Sequence, residues 1–433
     1  MTTLAREQPF SAAVESSLLQ NVCHGCFSYC RKEQLKCCGG CSAVYYCSIK
    51  CQRYDWPDHS AECRCLKNYS PRIPSCFVRL LARFYWKVST HGDVVVSFNS
   101  RRCKDLVDNC EELVKSSKHM EYFSSLFNIL VEYMNGTDVA SGKHEMFSAY
   151  GKLVTNAFSI TDSTGKTLGT GLYLGISAQD HSCMPDAFVR FEGATAIMSS
   201  PDVGKKYDRS LTISYVDLMG LTEERNKILR DQFCFLCTCS ACVSKAQDDW
   251  KRSVNSDCCD GGFCLVDPNT DWETSPPLCI LCKKEVSMDL NQALQYNANA
   301  KMELEDKAGA GTRSPSEDFE RWSLTFEKFV KVLSPYNTFM VAIHQKFLSA
   351  AEGVGRTDLT SKYADICLDA YRRYLPVGHP ELTHRLRLAY LRKLQECSRQ
   401  SCRALLVEAY NSAVHSHGEN HEITMELSSH LSA

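Results

Sequence analysis

The sequence lacks the features that mark membrane-spanning and secreted proteins. No apolar run in its 433 residues approaches the ~18–20 residues needed to cross a bilayer, and the N-terminus has no basic-then-apolar signal pattern. It also lacks a dominant charge, because 49 basic and 51 acidic residues leave a formal net charge of −2. Binding to nucleic acid or to an anionic membrane would therefore need a local patch. We expect a soluble, intracellular protein with no membrane partner.

Cysteine, in contrast, is abundant. The chain has 26 cysteines, many of them in CxxC and CxC pairs. In a reducing compartment such pairs are better explained by thiolate binding of a metal than by disulfide bonds. The length, with 44% hydrophobic residues, also predicts several domains, since single cores stop growing near roughly 250–300 residues.

Residues 23–63 contain four close pairs of metal-binding side chains. The pairs are Cys23 with Cys26, Cys38 with Cys41, Cys47 with Cys51, and His59 with Cys63. Zn²⁺ takes four sulfur or nitrogen ligands in a tetrahedron, so eight ligands suffice for two closed sites. A segment of this size buries little apolar surface, and we therefore expect the metal ions to hold it folded.

The order of these ligands, with DWPDHSAEC at the end, resembles the MYND finger, whose two zinc sites interleave. The resemblance implies one site from the first and third pairs and another from the second and fourth. Cys37 competes with Cys38, but only Cys38 keeps the two-residue gap to Cys41, and Cys30 and Cys65 are left over. MYND fingers resemble peptide-docking modules, which favours a protein partner over DNA.

A second set of motifs spans residues 150–242. It comprises AYGKLVTNAFSI, GLYLGISAQDHSCMPDAFVRFEG, SLTISYVDL and RDQFCFLCTCSAC. Residues 187–191 and 211–215 alternate in polarity between turn residues, which predicts two short strands. The motifs also contain a tyrosine and several phenylalanines. A tyrosine hydroxyl with aromatic walls would suit a dry channel in which two reacting groups are aligned.

These motifs resemble the SET domain of the SET-and-MYND (SMYD) family of protein lysine methyltransferases. The resemblance implies an α+β fold, with a SET β-fold split by the MYND finger and followed by an α-helical, TPR-like domain. It assigns Tyr215 to the reaction centre, where its hydroxyl orients the reacting groups. Phe158, Phe233 and Phe235 match the channel residues, whose rings can hold an ammonium group. Ordinary core packing is the alternative for each phenylalanine.

By the same resemblance, the cofactor is S-adenosylmethionine. Asn156 and His181 match positions that contact it, Asn109 is a weaker match, and Phe235 and Asp180 lie beside it. Asp180 replaces the family's asparagine but keeps an acceptor for the cofactor's amino group. Cys183 with Cys237, Cys239 and Cys242 would bind a third zinc ion and hold the C-terminal flap of the SET domain.

The sequence departs from the family at its start. SMYD proteins carry a GxG segment before the MYND finger, whereas residues 1–22 contain no glycine. We expect residues 1–22 to be the remainder of the N-terminal SET lobe, with REQPF matching the strand after the GxG motif. The missing motif favours a weak enzyme, a shortened product or a binding-only relative.

The rest of the chain divides by composition. We expect a helical insert at 64–150, the core SET domain at 151–220, its zinc segment at 221–245, a small zinc knuckle at 256–285, a linker at 286–318 and the helical domain at 319–433. The knuckle would bind a fourth zinc ion through Cys259, Cys264, Cys279 and Cys282. The alternatives are free thiols, or Cys258 as a ligand in place of Cys259.

The helical domain contains a weak internal repeat. Residues 367–382 and 406–423 share an Ala-Tyr pair followed by Gly, His and Glu, which indicates repeated helix pairs. A generic helical bundle fits the sequence almost as well.

The sequence thus predicts a protein-lysine N-methyltransferase that uses S-adenosylmethionine and zinc, acts on histone tails or other lysine-containing proteins, and occupies nucleus and cytoplasm. The rival hypothesis is a catalytically weak adaptor that binds peptides through its MYND and helical domains on a SET scaffold. A nucleic-acid reader lacks both net positive charge and a recognisable base-reading helix.

Overall fold

The computed structural model describes residues 2–93, 97–134, 142–202, 204–306 and 313–432. They form two compact units. The N-terminal unit contains residues 2–213 and 228–236, and the C-terminal unit contains residues 214–227 and those from 237 onwards. Among the described helices, none is long and apolar enough to cross a membrane.

Short strands and longer helices alternate along the chain. The strands are β1 Thr2–Glu7, β2 Ser11–Val14, β3 Lys36–Cys37, β4 Tyr45–Tyr46, β5 Ala157–Thr161, β6 Thr167–Leu172, β7 Asp180–His181, β8 Phe188–Glu192, β9 Thr195–Ser200, β10 Thr212–Ile213, β11 Val254–Asn255 and β12 Phe263–Cys264. The helices are α1 Ile49–Tyr69, α2 Cys76–His91, α3 Cys110–Leu113, α4 Ser117–Tyr133, α5 Lys143–Asn156, α6 Thr222–Phe233, α7 Ser240–Ser244, α8 Asp248–Lys251, α9 Leu290–Glu305, α10 Pro315–Phe329, α11 Thr338–Gly353, α12 Thr357–Lys362, α13 Leu368–Tyr374, α14 Pro380–Lys393, α15 Arg403–Ser416 and α16 Glu422–Ser432.

The sheets of the N-terminal unit join distant parts of the sequence. One sheet has the order β1-β9-β8 and another the order β2-β6-β5, all antiparallel. Gly169 in β6 permits close pairing with β2, because an added Cβ would lie 2.2 Å from the carbonyl oxygen of Ala13. Strands that precede residues 23–63 thus pair with strands that follow them.

The predicted short strands at 187–191 and 211–215 correspond to β8 and β10. The second strand is shorter than predicted, and it pairs in parallel with β7, so that Asp180 lies opposite Thr212 and His181 opposite Ile213. The region of the predicted helical insert at 64–150 contains α4, which begins after the cap Ser116 and buries Phe123 among other apolar residues.

The C-terminal unit combines a small hairpin with a series of helices. In the hairpin β11 pairs antiparallel with β12. The two segments of the predicted repeat have the same local structure: α13 and α15 each lead, through a glycine of positive φ (Gly378 and Gly418), to a histidine just before α14 and α16. His379 and His421 each accept a hydrogen bond from the backbone N–H two residues further on, of Glu381 at 3.1 Å and of Ile423 at 3.3 Å. Consecutive helices α14, α15 and α16 pack on a core that includes Leu386, Leu406 and Leu427.

The predicted linker at 286–318 is wrong for most of its length. Residues 290–305 form α9, which begins after the cap Asp289. The sequence pattern did not predict this helix because its buried face is narrow and consists of small or polar residues, Ala293, Asn297 and Ala300. Residues 307–312 of the predicted linker lie outside the described residues.

Candidate metal centres and catalytic site

The first group of metal-binding side chains lies at the start of α1. Cys23, Cys26, Cys47 and Cys51 place their sulfurs within 4.8 Å of one another. The sulfurs of Cys47 and Cys51 are 3.5 Å apart, and those of Cys26 and Cys47 are 3.8 Å apart. Four thiolates at about 2.3 Å from a tetrahedral zinc ion would be separated by about 3.8 Å. The donor set and its spacing therefore fit zinc.

The second group joins α1 to the β3–β4 hairpin. Cys38, Cys41, His59 and Cys63 also lie within 4.8 Å, with 3.7 Å between the sulfurs of Cys38 and Cys63 and 3.7 Å between Cys41 Sγ and His59 Nε2. All four are buried, whereas the competing Cys37 is exposed. The structure thus groups the eight ligands in the interleaved order that the sequence predicted.

Buried charged side chains that were not predicted from the sequence surround the second group. Glu62 Oε2 is 2.9 Å from His59 Nδ1, and Glu62 also accepts from Arg79 Nε at 2.9 Å and from Arg83 at 2.7 Å. Burial raises the pKa of Glu62, but Arg79 and Arg83 outweigh it and hold that pKa well below its usual value. The carboxylate therefore stays charged and fixes the orientation of the His59 ring, as supporting groups do at metal sites.

This charged network connects the finger to the sheet. Arg79, on α2, donates to the carbonyl oxygen of Val14 in β2 at 3.1 Å. Asp55 on α1 accepts from Tyr46 at 2.7 Å, binds Arg83 and lies 2.9 Å from His24 Nδ1. The signal in the sequence was the pair of arginines four residues apart in the apolar stretch FVRLLARFYW, a spacing that places both on one helix face.

The asparagines predicted to contact the cofactor lie at the ends of helices in the N-terminal unit. Asn156 ends α5, and its amide nitrogen donates to the carbonyl oxygens of Val107 and Lys152, both at 2.8 Å. Asn109 precedes α3 with φ +51°, and its amide donates to Thr155 at 3.2 Å and to the carbonyl of Phe233 at 3.3 Å. With the amide hydrogens used in this way, the amide oxygens are the atoms that these residues can offer to a cofactor amino group.

Two further predicted cofactor residues lie on β7. The His181 ring lies 6.0 Å from that of Phe235, and its Nε2 is 3.3 Å from Cys183 Sγ. Asp180, next to it, is exposed. The N-terminal unit therefore places His181 beside Phe235, and Asn109 beside the backbone of Phe233.

The remaining predicted channel and catalytic residues are Phe158 and Tyr215. Phe158 lies on β5 and packs edge-on against Tyr173, with ring centres 5.9 Å apart. Tyr215 follows β10 by two residues and belongs to the C-terminal unit. Its catalytic role stays a prediction.

The ligands predicted for the third zinc ion come from both units. Cys237, Cys239 and Cys242 belong to the C-terminal unit, where the Cys242 N–H donates to the Cys239 carbonyl at 3.0 Å and Arg225 approaches Cys242 Sγ to 3.8 Å. Cys183 is buried in the N-terminal unit. The joint site stays a prediction.

The fourth group differs from its prediction by one residue. Cys258, Cys259, Cys279 and Cys282 place their sulfurs within 4.8 Å of one another, and Cys264 is not among them. Cys264 lies on β12 and is fully buried. The prediction of Cys264 as a ligand is therefore wrong, and Cys258 joins Cys259 instead of replacing it.

Comparisons with known proteins agree with these features. Residues 23–63 match the MYND finger family. The chain is 33% identical over 254 residues to the human histone-lysine N-methyltransferase SMYD3, a match that covers 57% of each protein. It is 26% identical to the Xenopus laevis N-lysine methyltransferase SMYD2-A, over 82% of this chain and 76% of that protein. It is also 26% identical to the Arabidopsis thaliana histone-lysine N-methyltransferase ASHR1, over 98% of this chain and 89% of that protein.

The matched part of the chain thus spans little more than half the length of SMYD3 but most of SMYD2-A and ASHR1. The chain is thus similar to SMYD proteins beyond the finger, and over most of its length to SMYD2-A and ASHR1.

Proposed function

We propose that this protein is an S-adenosylmethionine-dependent protein-lysine N-methyltransferase that acts on histone or other proteins. The names of its relatives state lysine methylation, and two of those matches extend over 82% and 98% of the chain. The observation that carries the proposal is the placement of the predicted cofactor residues in one unit, where Asn109 contacts the Phe233 backbone and His181 packs near Phe235.

The cofactor would supply a methyl group on a positively charged sulfonium. Asn109, Asn156 and Asp180 would hold it, because their side-chain oxygens can accept from its amino groups. His181 and Phe235 would provide ring surfaces beside it. Both amide nitrogens are already committed to protein acceptors, which fixes the amide oxygens in one orientation.

The lysine side chain would enter between aromatic walls. We assign that channel to Phe158, Phe233 and Phe235, whose ring faces attract an ammonium group and exclude water. Tyr215 would orient the attacking nitrogen through its hydroxyl and stabilise developing charge.

The domain boundaries predicted from the sequence, apart from the linker at 286–318, are part of this proposal. The MYND finger at 23–63 would interrupt a SET domain whose strands lie on both sides of it, a reading that the pairing of β1 with β9 and of β2 with β6 supports. The matching helix–turn–helix geometry of α13–α14 and α15–α16 supports a TPR-like domain. Zinc at the two MYND groups and at Cys183, Cys237, Cys239 and Cys242 would hold these parts folded.

A lysine methyltransferase needs protein partners as substrates. Histone tails or other lysine-containing peptides would be the substrates, and the finger and helical domain would dock peptides. We place the protein in both nucleus and cytoplasm by its likeness to the family.

The decisive experiment is calorimetric titration of the zinc-loaded full chain with S-adenosylmethionine. We expect micromolar binding by the wild type and by Tyr215→Phe, because that hydroxyl acts on the reacting groups. His181→Ala should bind at least tenfold more weakly. His415→Ala, which removes an exposed histidine on α15, is the matched control and should bind like the wild type.

Methyl transfer to mixed histones would then be measured with the same proteins. Tyr215→Phe should lose most of the transfer rate while keeping cofactor affinity. If folded, zinc-loaded wild type shows no binding even at millimolar cofactor, the enzyme proposal is wrong. A peptide-binding adaptor on a SET scaffold then takes its place.

A further inference from the structure

A compact four-cysteine cluster lies in the C-terminal unit, outside the finger and the proposed catalytic centre. Cys258 and Cys282 have their sulfurs 3.3 Å apart, and Cys259 and Cys279 have theirs 3.7 Å apart. All four sulfurs lie within 4.8 Å of one another. This spacing is near the about 3.8 Å expected between thiolates around one tetrahedral zinc ion.

Tight backbone turns hold the two halves of the cluster. In the first half, Gly262 donates its N–H to the Cys259 carbonyl at 3.0 Å, and its own carbonyl accepts from Ser256 at 2.9 Å. A Cβ at Gly262 would lie 2.8 Å from Cys259 Sγ and 2.7 Å from Ser256 Oγ, so only glycine fits beside the sulfur.

The second half has the form of a metal-binding knuckle. Cys279 and Cys282 are two residues apart, and Lys283 follows in a left-handed conformation with φ +63°. The Lys283 N–H donates to the Cys279 carbonyl at 3.0 Å, and the Cys279 N–H donates to the Lys284 carbonyl at 2.9 Å. A CxxC on such a turn directs both sulfurs to one point.

We propose that Cys258, Cys259, Cys279 and Cys282 bind a structural zinc ion in the C-terminal unit. With four thiolate ligands the site is closed and leaves no position for a substrate or water, so its role is to fix the chain. It is independent of cofactor binding, and it can stand if the methyltransferase proposal fails.

The ion would hold residues 278–285 against the β11–β12 hairpin. It joins the turn before β12 to these residues, which also meet β12 through a hydrogen bond from the N–H of Ile280 to the carbonyl of Phe263, at 2.8 Å. Phe263 in turn packs on Trp250 and Tyr336, with ring centres 5.7 and 5.2 Å away. Loss of the ion should therefore loosen the hairpin together with this aromatic cluster.

Metal content tests the proposal directly. We expect the double variant Cys259→Ser/Cys279→Ser to hold one zinc equivalent fewer than the wild type by mass spectrometry of the metal, and to unfold at a lower temperature. Cys264→Ala, on β12, and Cys397→Ser, on the surface, are matched thiol controls and should keep the wild-type zinc content.

A second measurement uses the wild-type chain and does not depend on folding of a variant. Under native conditions the four cysteines should resist alkylation while exposed Cys397 reacts, and a chelator should make them reactive. Peptide mapping identifies each labelled residue. Unchanged zinc content in the double variant, labelling of the four thiols as fast as Cys397 before chelation, or a disulfide among them in freshly prepared protein would each overturn the proposal.

Discussion

Glu62 is the residue on which the second metal group and the sheet both depend. It is fully buried, it contacts His59, and it forms ion pairs with the buried Arg79 and Arg83. Removing one partner of such a network leaves the other charges buried and uncompensated, which costs about 3–5 kcal/mol. Breaking this network should therefore cost far more than breaking an exposed ion pair.

We therefore expect Glu62→Gln to lower the free energy of unfolding by about 3–5 kcal/mol and to speed zinc release from the second group. Denaturant unfolding and release of zinc to a coloured chelator measure the two effects. Glu132→Gln breaks the exposed pair with Arg72 and should cost less than about 1 kcal/mol. Equal losses in the two variants would contradict the role given to Glu62.

Some residues of the metal groups and their surroundings could be predicted from the sequence, and others could not. The two MYND groups were predictable because zinc chemistry is local and a CxxC turn fixes two ligands at once. The network of Glu62, Arg79 and Arg83 was not, since charged residues are ordinarily exposed and only the fold reveals that they are buried together. Cys264 was misassigned because spacing alone does not reveal that it is fully buried on β12 and lies outside the group of four cysteines.

Among the elements, the turn between β8 and β9 contacts the backbone of the first metal group at Cys26. Gly193 has φ +58°, and a Cβ there would lie 2.3 Å from the carbonyl oxygen of Cys26. The neighbouring Ala194 N–H donates to that same carbonyl at 3.1 Å, and the Ala194 carbonyl accepts from Tyr173 at 2.6 Å. The hairpin thus docks on the finger through its backbone, which requires glycine at the contact.

Gly193→Ala should accordingly lower the free energy of unfolding by about 2–4 kcal/mol, through a strained φ and a clash with backbone. Gly165→Ala is a matched control in the β5–β6 turn, with φ +78° and no atom within 4 Å of the added Cβ. It should cost about 1 kcal/mol from the φ alone. Thermal unfolding compares the two variants, and similar costs would refute the proposed docking contact.

Across the whole chain, buried histidines tie stability to pH. Burial lowers the pKa of His344 to about 4, even though its Nε2–H donates to the Tyr363 carbonyl at 2.7 Å, and burial likewise lowers the pKa of His384 to about 4. Nearby Arg392 and Arg385 act in the same direction at His344, and Asp365 opposes them. An unfolded histidine titrates near pH 6.5, so unfolding takes up protons between that pH and about 4.

The sign of the effect follows from that proton uptake. The stability that these neutral histidines contribute is complete above pH 6.5 and is lost as the pH falls toward 4, by about 1–3 kcal/mol for each. His344→Gln keeps a donor for Tyr363 but cannot titrate, so its unfolding free energy should fall less than that of the wild type between pH 7 and pH 5. The comparison of full-length chains cancels the acid sensitivity of the zinc sites, which both proteins share. His415→Gln changes an exposed histidine and should keep the wild-type slope. A slope unchanged in His344→Gln would mean that the pKa of this histidine is the same in the folded and unfolded chains, and would contradict the prediction.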